Sequence, residues 1–90
     1  MVKIFVILVY DFNEKRVAKA LKKCRQYLTW VQNSVFEGEI TQGNLKKLKM
    51  ELKAFMKKDE DSVIVYQFAS LNYSKRENFG LIKNEETQFL

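Results

Sequence analysis

"VKIFVILVY", residues 2–10, is the stretch on which the fold turns. It is β-branched and aromatic throughout, which favours a strand over a helix. Its apolar residues fall on both parities, which predicts burial on both faces and a central place in a sheet. "SVIVYQFA", residues 62–69, reads the same way. A lone acid, Asp11, closes the first of these strands.

Between the two strands the apolar period changes. Asn13 predicts a helix cap, with Glu14 in the first turn complementing the dipole. Val17, Ala20, Leu21, Cys24, Tyr27 and Leu28 then recur at helical spacing and predict a helix of about 15 residues. Thr41 predicts the cap of a second helix, with Leu45, Leu48, Leu52, Phe55 and Met56 as its apolar stripe. "TWVQNSVFEGEI", residues 29–40, is β-rich. One bulged strand and two short strands in a tight hairpin both fit it, and Gly38 suits a bulge. The order β-α-β(β)-α-β predicts an α+β sandwich of ferredoxin-like type, an antiparallel sheet with two helices on one face. That fold hosts many activities, so it predicts none by itself.

Ninety residues predict a single domain, 1–90. A chain this long buries roughly 60–65% of its unfolded surface, enough for a thin core but not for a deep pocket. Such a chain suits a surface that grips something large, or a site completed by a second copy. Hydrophobic residues make up 47% of it, too many for a disordered segment. From about residue 70 the pattern weakens to isolated apolar residues in polar surroundings, ending on Phe89 and Leu90. This tail is expected to dock on the sheet or on a partner chain. Together with strands apolar on both faces, it predicts a homodimer, with Phe89 and Leu90 at the interface. The apolar run at residues 4–10 is too short to cross a bilayer and lacks the marks of a signal peptide, so a cytoplasmic chain without a membrane partner is expected.

The composition narrows the chemistry. There is one cysteine, Cys24, and no histidine. The commonest general base, the usual zinc ligand and any multi-cysteine metal site are therefore excluded. A core thiol reads as a small hydrophobe. Catalysis, if present, falls to carboxylates with a hard cation. The net charge of +5 is compatible with a polyanionic partner. Lys15, Lys19 and Lys22 on the first helix, and Lys46, Lys49, Lys53 and Lys57 on the second, suit phosphate contacts; a solvated, solubilising face fits them too. Trp30, Phe36, Tyr66 and Phe68 have the shape of base-stacking platforms, but core packing or a dimer interface is the commoner use, and Phe36 is assigned to the interface. Asp11 reads either as a Mg²⁺ ligand at a strand end or as a turn residue before the helix. One carboxylate is too little for phosphodiester hydrolysis, and a two-fold axis would double it.

"VYDFNEKRVAKALKKCRQYLTWVQNSVFEGEIT" followed by "DSVIVYQF" resembles the small CRISPR-associated endonuclease family of spacer acquisition, Cas2. The resemblance covers nearly the whole chain, including "NFGLIKN". Its marks are the hydrophobic-Tyr-Asp end of strand one, a basic helix start, "VQNSVFEGEI" and the "DSV" strand. Phe12, where many relatives have a smaller aliphatic residue, departs from the pattern. The resemblance implies a ferredoxin-like homodimer with facing sheets, and Asp11 near the two-fold axis as the catalytic and metal-binding residue. It implies Mg²⁺ as cofactor, and cleavage of single-stranded RNA or double-stranded DNA. It implies Tyr10, Lys15, Arg16 and Lys19 as nucleic-acid contacts, and a partner in the CRISPR integrase, Cas1, whose dimers the protein would bridge on DNA. A non-catalytic DNA-binding adaptor and a toxin-type RNA interferase of the same fold are the alternatives.

Overall fold

Strand β1 (Lys3–Asp11) is followed by α1 (Val17–Arg25), β2 (Thr29–Gln32), β3 (Val35–Thr41), α2 (Gln42–Phe55), β4 (Ser62–Ser70) and β5 (Tyr73–Gly80). It lies in the middle of a five-stranded sheet of order β2-β3-β1-β4-β5, antiparallel throughout. The computed structural model describes residues 3–70 and 73–81. The α+β sandwich expected from the element order is the architecture found. Phe89 and Leu90 lie outside the described residues.

The core occupies one side of the sheet. Ile4, Val6, Leu8 and Tyr10 on β1 and Val63 and Val65 on β4 are buried with Ala20 and Cys24 of α1 and Leu45, Leu48 and Leu52 of α2. The opposite parity of β1 is different: Phe5 is 37% exposed and Ile7 and Val9 are half-buried. Burial on both faces therefore does not hold within one chain. Two helices cover one face only, and the second apolar parity forms the open face of the sheet.

The first helix is shorter than its periodicity predicts. Asn13 caps a turn instead of the helix: its Oδ1 accepts from the Lys15 N–H at 2.9 Å and its carbonyl from the Arg16 N–H at 2.8 Å. The helix begins at Val17, which is exposed, and its buried positions are Ala20 and Cys24. Thr41 caps α2 as expected, its Oγ1 accepting from the Asn44 N–H at 3.1 Å. Residues 29–41 form two strands joined at Asn33 and Ser34, with Asn33 at φ +46, where asparagine is tolerated. The irregularity in this ladder falls between Trp30 and Gln32 on β2, not at Gly38.

Strand β5 has no apolar run to announce it. "YSKRENFG" is polar because it is an edge strand, and it pairs with β4 along its whole length. It ends on Gly80 at φ +98, where a Cβ would lie 2.2 Å from the Asp61 carbonyl oxygen. Only glycine fits there.

Candidate functional site

Strand parity carries Asp11 to the open face. Along β1 the odd residues Phe5, Ile7, Val9 and Asp11 alternate with the buried even ones. Asp11 is exposed at the end of this row and lies opposite Ser62 of β4, while Val9 lies opposite Ile64 and Ile64 opposite Asn78 of β5. These neighbours line a cavity of about 180 Å³, with Asp11, Ser62, Arg76 and Asn78 beside Val9, Tyr10, Ile64 and Leu81. The rest of the open face is apolar, with the Phe5 and Phe68 rings 6.3 Å apart. Glu37 and Glu39 lie across from Ile7 and Phe5 on one flank, and Arg76 lies over the Tyr66 ring on the other.

The loop that follows Asp11 is locked from below by the acid that opens the "DSV" stretch, a residue with no role assigned from sequence. Asp61 is fully buried. Its carboxylate accepts from the Asn13 N–H at 2.9 Å, the Lys57 N–H at 2.8 Å, Arg16 Nε at 2.6 Å and Arg16 Nη2 at 3.1 Å. Its backbone carbonyl accepts from the Leu81 N–H at 2.7 Å. One residue thus ties together the β1–α1 loop, the α2–β4 loop and the end of β5. Burial pushes the Asp61 carboxyl upward, but the bonds from Arg16 and the two backbone N–H groups outweigh it and hold the group below the usual carboxylate range. Asp61 and Glu60 in turn raise Arg16.

Three of the residues named from sequence as contacts have other uses here. The Arg16 side chain is 13% exposed, and its guanidinium is engaged by Asp61 and Glu60, so it shapes the loop instead of reaching outward. Tyr10 precedes Asp11 by one residue and must point to the other face. It is buried there, stacked on Phe36 and edge-on to Phe12. Burial raises its hydroxyl. Phe36 is fully buried in the chain's own core, so it has no surface to offer a partner. Cys24 is also buried, and burial pushes its thiol up to about 12, as expected of a small hydrophobe and not of a nucleophile.

Lys15 and Lys19 are exposed on the opposite layer. With Lys22 and Lys23 they line a groove of about 900 Å³ between the helices, which Glu51 and Phe55 close from the α2 side. Lys19 Nζ lies 5.4 Å from the Phe55 ring centre. Lys46, Lys49 and Lys53 line a further hollow along α2, where Lys49 pairs with Glu77 at 2.6 Å. The helical layer is therefore basic, while the open sheet face is apolar along β1 and β4, with Asp11 at its end and Glu37, Glu39 and Arg76 on its flanks.

The donors beside Asp11 suit a hard cation. Carboxylate, hydroxyl and amide oxygens are the ligands Mg²⁺ takes; among the described lining residues there is no soft donor, and Arg76 adds a cationic group suited to a phosphate instead of the ion. Among the described residues, the buried Oδ1 of Asn78 has no hydrogen-bond partner. One chain supplies too few charges, since no group of three His, Cys, Asp or Glu side chains converges among the described residues.

Residues 4–76 match the model of the CRISPR associated protein Cas2 family. The chain belongs to the Cas2 family. It is 45% identical over 86 residues to the "CRISPR-associated endoribonuclease Cas2" of Dictyoglomus turgidum, covering 96% of this chain and 99% of that one. It is 50% identical over 82 residues to the protein of the same name from Thermotoga maritima, covering 91% and 94%. A Cas2 crystal structure superposes with a TM-score of 0.72 at 38% identity, over 98% of this chain and 95% of that one. A Thermus thermophilus protein, TT1823, shares the Cas2 fold at 18% identity, with a TM-score of 0.65. Among the described residues, no helix of this Cas2 chain is long and apolar enough to cross a membrane.

Proposed function

We propose that this Cas2 chain is a cytoplasmic, metal-dependent endonuclease subunit of CRISPR spacer acquisition that works as a homodimer. The observation that carries the reading is the position of Asp11: an exposed carboxylate at the end of an open, largely apolar sheet face. Two such faces packed about a two-fold axis would bury Phe5, Ile7, Val9 and Ile64. They would also bring two Asp11 carboxylates toward one site. The acidic flank at Glu37 and Glu39 and the basic flank at Arg76 give the face a complementarity to a second copy of itself.

Asp11 from each protomer anchors the cation with charged oxygen. A bound Mg²⁺ supplies Lewis-acid polarisation of the scissile phosphate and a more acidic water. Lys15 and Lys19 hold the nucleic-acid backbone by point charges, which favours tolerance of sequence. Asp61 and Arg16 keep the β1–α1 loop in one conformation, so that Asp11 and the lysines keep their relative placement. The relatives named as endoribonucleases support RNA as a substrate, and DNA follows from the proposed role in acquisition.

The second reading is a non-catalytic adaptor that bridges Cas1 integrase dimers on DNA. The basic helical layer favours it, because that layer lies away from Asp11 and does not need it. The test is cleavage of single-stranded RNA and of duplex DNA by wild type and Asp11→Asn across a Mg²⁺ titration. The enzymatic reading expects metal-dependent cleavage lost in the variant, with dimer and DNA binding retained. Equal cleavage by both proteins, or none by wild type at any metal concentration, leaves the adaptor.

A further inference from the structure

Two buried side-chain oxygens lack a hydrogen-bond partner among the described residues, Glu51 Oε1 and Asn78 Oδ1. Glu51 Oε1 has Lys23 Nζ at 3.7 Å. Asn78 Oδ1 is left to be explained, because a buried acceptor without a donor is costly and rare in a native fold. It lines the same small cavity as Asp11.

The ladder fixes how far apart the two residues stand. Asp11 pairs with Ser62, Ser62 pairs with Gly80, and Asn78 lies two residues before Gly80 on the same face. Two strand spacings and two residues along the strand put the Cα atoms about 12 Å apart. Two short side chains cannot close that gap to share a bare ion. A cation that keeps its water shell can span it, and Mg²⁺ gives up its waters reluctantly.

We infer that Asn78 is a positioning residue of the Asp11 site: its side-chain carbonyl accepts a hydrogen bond from a water carried by the cation that Asp11 holds. The inference rests on the metal reading of Asp11 and adds a residue to it. An amide oxygen suits the role better than a second acid, since it directs a water without adding charge. Ser62 lies between the two on β4 and offers a hydroxyl to the same shell. The strand that carries Asn78 is tied at Gly80 and Leu81 to Asp61, so the lock beneath Asp11 also sets Asn78.

The test is Mn²⁺ binding, followed by the electron paramagnetic resonance signal of the free ion, with sedimentation and melting of each variant as controls. Wild type is expected to bind saturably and Asn78→Ala to bind about 10- to 100-fold more weakly, the usual loss when an outer-shell partner is removed. Asn78→Asp keeps an acceptor oxygen and adds charge, so it should bind at least as tightly as wild type. The inference is overturned if Asn78→Ala binds Mn²⁺ like wild type, or if Asn78→Asp is as weak as Asn78→Ala. A weaker dimer with unchanged Mn²⁺ affinity overturns it too, because the oxygen then serves the partner chain. If wild type shows no saturable binding, or Asp11→Asn binds like wild type, the metal reading of Asp11 fails first and this inference falls with it.

Discussion

Removing the Asp61 carboxylate should cost this domain more than any surface change. The side chain is fully buried and accepts four hydrogen bonds, two from backbone N–H groups and two from Arg16. Asp61→Ala leaves the two backbone N–H groups and Arg16 Nε unsatisfied, with the guanidinium, 13% exposed, held by Glu60 alone. Breaking a buried pair from one side costs about 3–5 kcal/mol. A 90-residue domain has roughly 5–13 kcal/mol in all. At about 4–8 °C per kcal/mol, melting should fall by at least roughly 12 °C. Asp61→Asn keeps one acceptor oxygen and should fall less. The assay is thermal and urea unfolding followed by far-ultraviolet circular dichroism, at one protein concentration. The pH profile supplies a second readout. The Asp61 carboxyl is depressed in the fold, so its contribution is present above its unfolded value of about 4 and is lost as pH falls through the lower folded value. The acid limb of the stability curve should therefore flatten in Asp61→Asn. An Asp61→Ala protein within about 1 kcal/mol of wild type would refute the lock as described.

Three further outcomes are open to measurement. Cys24, with its thiol pushed up to about 12, should react with a disulfide reagent at pH 8 roughly a thousandfold more slowly in the native protein than in urea; equal rates would mean the site is open. Because that shift is upward, the stability it carries is complete below about pH 9 and is lost as pH rises toward 12. Phe5→Glu puts a charge on the open face and should weaken self-association by at least thirtyfold or so in sedimentation, while a wild type that is monomeric at micromolar concentration would remove the dimer altogether. Nucleic-acid affinity should fall with salt at a logarithmic slope near −3 to −4 if about four phosphates are contacted, and Lys19→Ala with Lys22→Ala should flatten it by about 2; an unchanged slope would return these lysines to solubility.

The sequence alone determined the fold class and the order of the elements through β4, because both helices and the central strands carry local signatures. Leu45, Leu48 and Leu52 recur at helical period, Thr41 is a cap, and the runs at 2–10 and 62–69 are β-branched and aromatic with apolar residues on both parities, which suits strands. The lack of histidine and the lone core cysteine limited the chemistry before any coordinates. Strand alternation holds a further signal: Tyr10 and Asp11 are neighbours, so they cannot both face the same ligand.

The tertiary structure decided what depends on distant partners. Arg16 looks like a phosphate contact until Asp61, 45 residues on, takes its guanidinium. Phe36 looks like interface until the helices bury it against Tyr10. Residues 73–80 look like a loose tail because an edge strand is polar and its order comes from the ladder to β4. Asn78 opens the "NFGLIKN" stretch, which by itself gives it no role, and only the register across β1, β4 and β5 brings it to Asp11's cavity. Helix and strand periods are written in residues a few positions apart, whereas a buried ion pair or a shared cavity is made by chain segments that meet only after folding.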